Sequence, residues 1–150
     1  ADRAISARSG TRDRVMPRAV PNFIADSLSD VMSRTSAYMQ YLMIICHDDS
    51  FAPTEALVTE IVDWDKEMEG RGIRKYGNPL RPPNDAITVR VRKGKVVLKN
   101  GPFAKSKEKM AAYELIECAS LEEAIDVAST HPMAKAATVE VRPIWTDLAI

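Results

Sequence analysis

A short apolar run, Met39–Cys46 with the sequence MQYLMIIC, constrains the fold more than any other feature of the chain. Its length suits a β-strand that is covered on both faces of a sheet. Successive side chains of a strand point to opposite faces, so this strand carries two apolar sets: Tyr41, Met43 and Ile45 on one face, and Leu42, Ile44 and Cys46 on the other. The sheet that contains this strand therefore needs a packing layer on each side.

A helix predicted over Thr54–Glu69 supplies one such layer. Its apolar residues recur at spacings of four, three and four, which places them in one stripe: Leu57, Ile61, Trp64 and Met68. Pro53 suits the first helical turn, and Gly70 and Gly72 predict the helix end. We interpret Trp64 as a core aromatic residue and not as a ligand contact.

The rest of the chain repeats the strand–helix–strand pattern. The predicted elements are a strand over Ile73–Leu80, a hairpin over Ile87–Leu98 with its turn at Lys93-Gly94, a strand over Tyr113–Cys118, a helix from Ser120 to His131, and a strand over Thr138–Trp145. Ser120 and Glu123 form a capping-box signature at the start of the second helix. His131 precedes a proline at the end of this helix, and we interpret it as a helix-terminal residue, not as a site residue.

This order of elements predicts a ferredoxin-like α+β sandwich, in which two strand–helix–strand units flank an inserted hairpin. Both helices would cover the same face of an antiparallel sheet. The second apolar face of the first strand then has no helix to cover it, so we expect a homodimer that packs sheet against sheet as a dimeric α+β barrel. The expected ligand cleft lies between the two sheets.

The composition argues against several classes of protein. A net charge of zero argues against nucleic-acid binding through a broad basic face. No run of about 18 apolar residues occurs, so neither a transmembrane helix nor a membrane partner is expected. Cys46 and Cys118 favour free thiols in a reducing compartment, which predicts a cytoplasmic location. Because they end two different strands, we expect no disulfide between them.

Residues 1–37 differ in character from the rest of the chain. They contain six arginines, no lysine and four aspartates, with no sustained hydrophobic period. We interpret this segment as a disordered or irregular leader that precedes a folded domain over residues 38–150. A functional chain that starts near Met32 is the alternative interpretation.

Five segments of the chain resemble one known family. They are YLMIICHDD, NGPFAKSKE, YELIE, SLEEAIDVA and VEVRP, and together they span roughly Met39 to Ile144. They resemble the YCII-related proteins, and within these the branch named for an Asp-Gly-Pro-Phe motif, the DGPF-domain proteins. The resemblance implies a small dimeric ferredoxin-like protein. Most members have no assigned reaction, and a few relatives are similar to lyases that eliminate chloride from substituted aromatic rings.

Several positions depart from the pattern of this family. Asn100 stands where the motif has aspartate, so it cannot act as an acid or base but can exchange hydrogen bonds. Lys105 replaces an acidic residue, and Ala111-Ala112 replaces a glycine pair. The better-studied relatives carry a proposed acid–base histidine on the first helix, whereas Glu60–Trp64 contains none. His47 lies instead where a glycine is common, in the loop after the first strand.

The first functional hypothesis is small-molecule binding in the cleft at the dimer interface. The expected ligand is an anionic or aromatic organic molecule, and the expected ligand-binding residues are Asn100, Phe103, Lys107, Tyr113 and Arg142. Several of them have a structural alternative. Gly101 precedes a proline and should be extended, so the NGPF segment could be a rigid connector with Phe103 in the core. Lys107 could lie in a solvated turn, and Arg142 could pair with Glu140.

The second hypothesis is a cofactor-free lyase or isomerase. His47 would be the general base, oriented by Asp48 or Asp49, and Arg142 would hold an anionic substrate. Adjacent residues at a strand end point in opposite directions, which favours a surface histidine instead. No cofactor is expected. Cys46, His47 and the two aspartates are metal-ligand types, but their spacing is not one known to hold an ion, so no metal site is expected.

Overall fold

A computed structural model describes residues 38–146, and the interpretation of residues 1–37 as a leader lies outside the described residues. The elements follow in the order β1 (Met39–His47), α1 (Glu55–Gly70), β2 (Arg74–Pro79), a 3-10 turn (Pro83–Asp85), β3 (Ile87–Arg92), β4 (Lys95–Asn100), β5 (Lys109–Cys118), α2 (Leu121–Thr130), α3 (Pro132–Ala136) and β6 (Thr138–Pro143). One antiparallel sheet has the strand order β2–β5–β1–β6, while β3 and β4 form a separate hairpin. This topology is that of a ferredoxin-like α+β fold, which confirms the predicted fold class.

The hydrophobic core lies between one face of the four-stranded sheet and helices α1 and α2. Tyr41, Met43 and Ile45 of β1 are buried on that face, as their alternation predicts. The other buried core residues come from α1, β5 and α2, and include Trp64, Met68, Ile116, Cys118, Ala124, Val127 and Ala128. Burial of each large apolar side chain stabilises the fold by roughly 1.5–3 kcal/mol. The interpretation of Trp64 as a core residue is therefore confirmed.

The opposite face of the sheet, which we call the open face, carries no helix in the described part of the chain. Leu42, Ile44 and Cys46 lie there half-buried, beside Tyr113 and Leu115 of the neighbouring strand β5. The β3–β4 hairpin also exposes a set of apolar side chains: Ile87, Val89, Val91, Val96, Val97 and Leu98. The open face of the sheet is the surface that the expected homodimer would cover.

Short polar signals fix the ends of the elements. The Thr54 hydroxyl accepts a hydrogen bond from a main-chain N–H of the first turn of α1, so Thr54 caps this helix and Pro53 precedes the cap. At α2, the Ser120 hydroxyl accepts from the main-chain N–H of Glu123, as the capping box predicts. Lys93-Gly94 has positive φ angles of 51° and 73°, which suit the two-residue turn predicted for the hairpin.

Two elements differ from the sequence prediction. A third helix, α3, follows α2 directly, because His131 caps it through its side chain and a proline occupies its first position. Met133 of this helix is buried against the core. Strand β5 begins at Lys109 and not at Tyr113, because its backbone continues to pair with β1 beyond an irregularity in the register.

The NGPF segment departs from expectation in two respects. Gly101 has a φ angle of +94°, a left-handed conformation, so the expected extended backbone is wrong. Its N–H donates to Ala86 O at 2.7 Å, and its carbonyl accepts from the Thr88 hydroxyl at 2.8 Å. Phe103 is 78% exposed and does not fill the core of the protomer. The segment therefore closes the base of the β3–β4 hairpin.

The two thiols lie apart from each other. Cys46 and Cys118 are both free cysteines, at opposite ends of the adjacent strands β1 and β5, since Cys118 pairs with Met39 and Cys46 with Met110. Burial raises the pKa of both thiols, that of Cys118 to about 11. Among the helices of residues 38–146, none combines the length and the apolar character that a membrane crossing requires.

Candidate functional site

A cavity of about 610 Å³, which we call the helix-side cavity, lies between α1 and the ends of β2 and β5. Apolar side chains form most of its walls: Val58, Ile61, Val62, Leu80, Met110 and Met133. Four interacting polar residues, the polar cluster, also line it: Asp65, Arg74, Glu114 and His131. Small-molecule sites in proteins are typically concave and mostly apolar, with a few convergent polar groups of this kind.

Arg74 joins the members of this cluster. Its Nε donates to Glu114 Oε2 at 2.7 Å, its Nη2 donates to the main-chain oxygen of Gly77 at 3.0 Å, and its Nη1 pairs with Glu69. Arg74 Nε also lies 3.2 Å from Asp65 Oδ1. One guanidinium group therefore faces three carboxyl groups, of which Glu69 lies at the exposed side.

The absence of a side chain at Gly77 makes room for the carboxyl group of Glu114. The pairing of β2 with β5 places Gly77 opposite Glu114. A Cβ atom at position 77 would lie 1.7 Å from Glu114 Oε2 and 2.7 Å from the main-chain oxygen of Tyr113. Both separations are below any tolerable contact, so a larger residue would displace either the carboxyl group or the strand. The polar cluster therefore requires this glycine.

Burial controls the acid–base behaviour of the two carboxyl groups in the cluster. Glu114 is only 4% exposed, and burial raises its pKa to about 7, although the hydrogen bond and the charge of Arg74 act in the opposite direction. Burial also raises the pKa of Asp65, again against the charge of Arg74. Glu114 can therefore both release and accept a proton near neutral pH.

His131 lies buried at the corner between α2 and α3 and is held in one tautomer. Its Nδ1 accepts a hydrogen bond from the Met133 N–H at 3.1 Å, so the proton of the neutral ring lies on Nε2. Burial and the charge of Arg74 lower the pKa of His131 to about 4. The ring also contacts Trp64 edge-on, with ring centroids 4.5 Å apart. The fold thus presents a neutral imidazole to the cluster.

Two buried atoms of the polar cluster have no hydrogen-bond partner among residues 38–146. They are Nε2 of His131 and Oδ1 of Asp65. The second of these is close to Arg74 Nε, but the single hydrogen of that nitrogen is donated to Glu114. An unpaired donor and an unpaired acceptor therefore lie in the same buried cluster.

The cluster is compact enough to suggest a metal site, but its chemistry opposes one. An oxygen from each of Asp65 and Glu114 and a ring nitrogen of His131 all lie within 4.8 Å of one another. Because Nδ1 of His131 is occupied and Nε2 is protonated, the ring offers no free lone pair to a cation. Arg74 already supplies a positive charge to both carboxyl groups. We therefore interpret the cluster as a hydrogen-bonding and proton-exchanging site.

The residues proposed as an acid–base pair do not contact each other through their side chains. The ring of His47 stacks on Phe51, with centroids 4.5 Å apart, and its Nδ1–H donates to the main-chain oxygen of Asp48 at 2.9 Å. The Asp48 carboxylate accepts instead from the N–H and hydroxyl of Ser50, which lower its pKa. Asp49 binds Lys109 Nζ at 2.7 Å. His47 nevertheless lines the helix-side cavity.

The other residues singled out from the sequence lie on the open face or near the hairpin. Phe103 and Arg142 line a groove of about 620 Å³, in which Ile44 contributes an apolar wall. Arg142 also forms the anticipated ion pair with Glu140.

The remaining three are distributed over two places. Asn100 and Lys107 line a separate depression near the end of β4. Tyr113 lies beside Tyr76, with ring centroids 6.2 Å apart. The protomer therefore does not bring the five expected ligand-binding residues into one site.

Sequence reasoning missed all four members of the polar cluster. Glu114 did leave a signal, because it occupies a core-facing position of β5 in alternation with Ile116 and Cys118. A carboxyl group at such a position needs a partner or a raised pKa. Asp65 and Arg74 left no comparable signal, since a charged residue within an amphipathic helix and one at the start of a strand are ordinary.

The topology and the cavity together define a small ferredoxin-like α+β protein with a candidate small-molecule site on the helix side of its sheet. The chain belongs to the YCII-related family, whose domain model matches residues 39–146. This membership confirms the resemblance to the YCII-related family, while the assignment to its DGPF branch stays a prediction. The chain is also similar to the uncharacterized protein R00369 of Rhizobium meliloti (strain 1021), with 33% identity over an aligned length of 118 residues; the match covers 67% of this chain and 89% of the relative.

Proposed function

We propose that this YCII-related protein binds a small organic molecule in the helix-side cavity. The observation that carries the proposal is the combination of apolar walls with a buried polar cluster in which Asp65 Oδ1 and His131 Nε2 have no partner among the described residues. Leaving a buried polar group unpaired costs about 1–3 kcal/mol. A bound molecule that pairs with these atoms recovers that free energy.

Acid–base catalysis is a second candidate function, and Glu114 favours it. Its pKa of about 7 allows proton exchange near neutral pH, next to the neutral imidazole of His131. A carboxylate that removes a proton beside a carbonyl and an N–H that binds the carbonyl oxygen are sufficient for a cofactor-free lyase or isomerase. His47 and Arg142 line different cavities of the protomer, so we place Glu114, and not His47, in the role of the base.

We also propose that the protein is a homodimer that forms through the open face. Leu42, Ile44 and Leu115 contribute half-buried apolar surface there, and a partner protomer would cover it. The groove lined by Phe103 and Arg142 includes Ile44 of this face, so dimerisation would enclose it as a second cleft. The anionic or aromatic ligand expected from the sequence would then have a site between the sheets.

A thermal-shift screen of single-ring carboxylates, phenols and lactones on the 150-residue chain tests the binding proposal. A ligand at roughly 100 times its dissociation constant should stabilise the protein by about 2.7 kcal/mol. Val62→Trp should abolish this response, because Val62 lines the cavity from the accessible side of α1. Thr59→Trp is the matched control on an exposed position of the same helix that does not line the cavity.

The outcomes separate the two possible sites. A thermal shift that persists in Val62→Trp and disappears in Arg142→Ala would indicate that the ligand binds in the groove lined by Phe103 and Arg142. A response to none of these fragments would contradict the binding proposal.

A further inference from the structure

We infer that the ligand of the helix-side cavity is an apolar molecule that presents a hydroxyl group, as an alcohol, phenol or enol, to Asp65 and His131. The inference rests on the proposed function, because it assigns a chemical class to a molecule that must first bind in this cavity. The hydroxyl group donates its hydrogen to Asp65 Oδ1 and accepts a hydrogen bond from the Nε2–H of His131.

The fold fixes the Nε2–H of His131 as the hydrogen-bond donor to the ligand. His131 is 1% exposed, and its Nδ1 is occupied by the main-chain N–H of Met133 at the start of α3. The ring therefore cannot turn its acceptor nitrogen towards the cavity without losing the cap of that helix. Its Nε2–H lies in the cluster without a partner among residues 38–146, and it requires a ligand atom with a lone pair.

Asp65 Oδ1 is left as a free acceptor because other oxygen atoms take the hydrogen bonds of Arg74. All three nitrogens of the guanidinium group are engaged: Nε by Glu114, Nη2 by the main-chain oxygen of Gly77, and Nη1 by Glu69. Asp65 Oδ1 thus receives the charge of Arg74 across 3.2 Å but no hydrogen bond from it. This oxygen requires a ligand atom that carries a hydrogen.

Two other common head groups, a carboxylate and a protonated amine, do not suit this site. A carboxylate would add a negative charge where one guanidinium group already faces three carboxyl groups. The two basic residues at the rim of the cavity already form ion pairs: Lys109 with Asp49 at 2.7 Å, and Arg81 with Asp85 at 2.6 Å. A protonated amine has no lone pair and would leave the imidazole N–H unpaired. A hydroxyl group is both donor and acceptor and satisfies both atoms.

Four probes with one common ring test the inference on the full chain: para-cresol, its methyl ether, para-toluate and para-methylbenzylamine. Their dissociation constants can be measured by two-dimensional NMR, with the amides of Ala112 and Met133 reporting occupancy of the cavity. We expect para-cresol to bind about tenfold or more tightly than its methyl ether, which keeps the acceptor oxygen but lacks the hydrogen. We expect the toluate to bind more weakly than the ether.

Two variants separate the roles of the two protein atoms. Asp65→Ala should reduce the affinity for para-cresol to near that for the methyl ether, while Asp63→Ala, on an exposed position of the same helix, should change neither. His131→Asn should weaken both probes, because asparagine can still cap α3 through its side-chain oxygen but does not reach the cluster.

Each outcome bears on a different statement. Equal affinities for para-cresol, its methyl ether and the toluate at the reporting amides would overturn the hydroxyl inference and leave the binding proposal intact. Perturbation of those amides by none of the four probes would contradict the proposed function, and the inference with it. The probe series on the unmodified chain decides these outcomes even where a variant fails to fold.

Discussion

The two strongly shifted groups of the polar cluster should make opposite contributions to the pH dependence of stability. Burial raises the pKa of Glu114 from 4.5 to about 7, so the native state holds this proton more tightly than the unfolded state. Its contribution is complete below pH 4.5 and is lost as the pH rises through 7. Burial lowers the pKa of His131 from 6.5 to about 4, so its contribution is complete above pH 6.5 and is lost as the pH falls through 4.

The magnitude of each contribution follows from the two pKa changes. One pKa unit corresponds to about 1.4 kcal/mol, so each group changes the free energy of unfolding by about 3 kcal/mol over its range. Glu114 and His131 are 4% and 1% exposed, so screening by solvent takes little from these values. Asp65 and Arg74 face both groups, and the raised pKa of Asp65 acts in the same direction as that of Glu114. Between pH 4.5 and 6.5 the two large contributions should nearly cancel.

Single substitutions should uncover each contribution separately. Glu114→Gln removes the carboxyl titration, so the free energy of unfolding of this variant should rise by about 3 kcal/mol from pH 4 to 6.5. His131→Asn keeps an acceptor for the cap of α3 but removes the imidazole titration, so its stability should fall by about 3 kcal/mol from pH 4.5 to 7.

Urea denaturation at a series of pH values, followed by tryptophan fluorescence, measures these curves. The unmodified chain should show a nearly flat profile across the shared range, and the two variants should slope in opposite directions. The comparison uses only the slope of the free energy of unfolding against pH, because each substitution also changes the absolute stability. Parallel profiles for the unmodified chain and Glu114→Gln would refute the assignment of a raised pKa to this carboxyl group.

Three further perturbations have expected outcomes. Gly77→Ala should destabilise the fold by about 1–3 kcal/mol in urea denaturation, because the added methyl group overlaps the Glu114 carboxyl group. The control Gly70→Ala should not destabilise it, because its methyl group meets open space at the end of α1. Equal effects of the two substitutions would contradict the close approach of Gly77 to Glu114. Ser120→Ala should cost about 1 kcal/mol of thermal stability through loss of the α2 cap, and an unchanged melting temperature would argue against that cap. Leu115→Arg on the open face should convert the proposed dimer to a monomer in light scattering, and an unmodified chain that is already monomeric would contradict the dimer proposal.

Local patterns in the sequence predicted most of the elements because they depend on neighbours within a few residues. The spacing of Trp64 and Met68 predicts the core face of α1, and Ser120 predicts the start of α2. The conformation of Gly101 and the exposure of Phe103 depend instead on how the hairpin joins the sheet. The connector interpretation of the NGPF segment, with an extended Gly101 and with Phe103 in the core, was therefore wrong on both points. Helix α3 was missed because a proline after a helix indicates an end more often than a new beginning.

The sequence by itself determined the fold class. Few arrangements other than a ferredoxin-like sandwich accommodate one strand that is apolar on both faces, two amphipathic helices and an inserted hairpin. Only the tertiary structure decided where the candidate chemistry lies. Asp65, Arg74, Glu114 and His131 come from four separate segments. Only Glu114 has an unusual place in the sequence pattern, and it is the packing of α1 and of the α2–α3 corner on the sheet that brings the four together. Their pKa values and unpaired atoms arise from removal of water and from mutual charge, which are properties of the assembled interior and not of any local pattern.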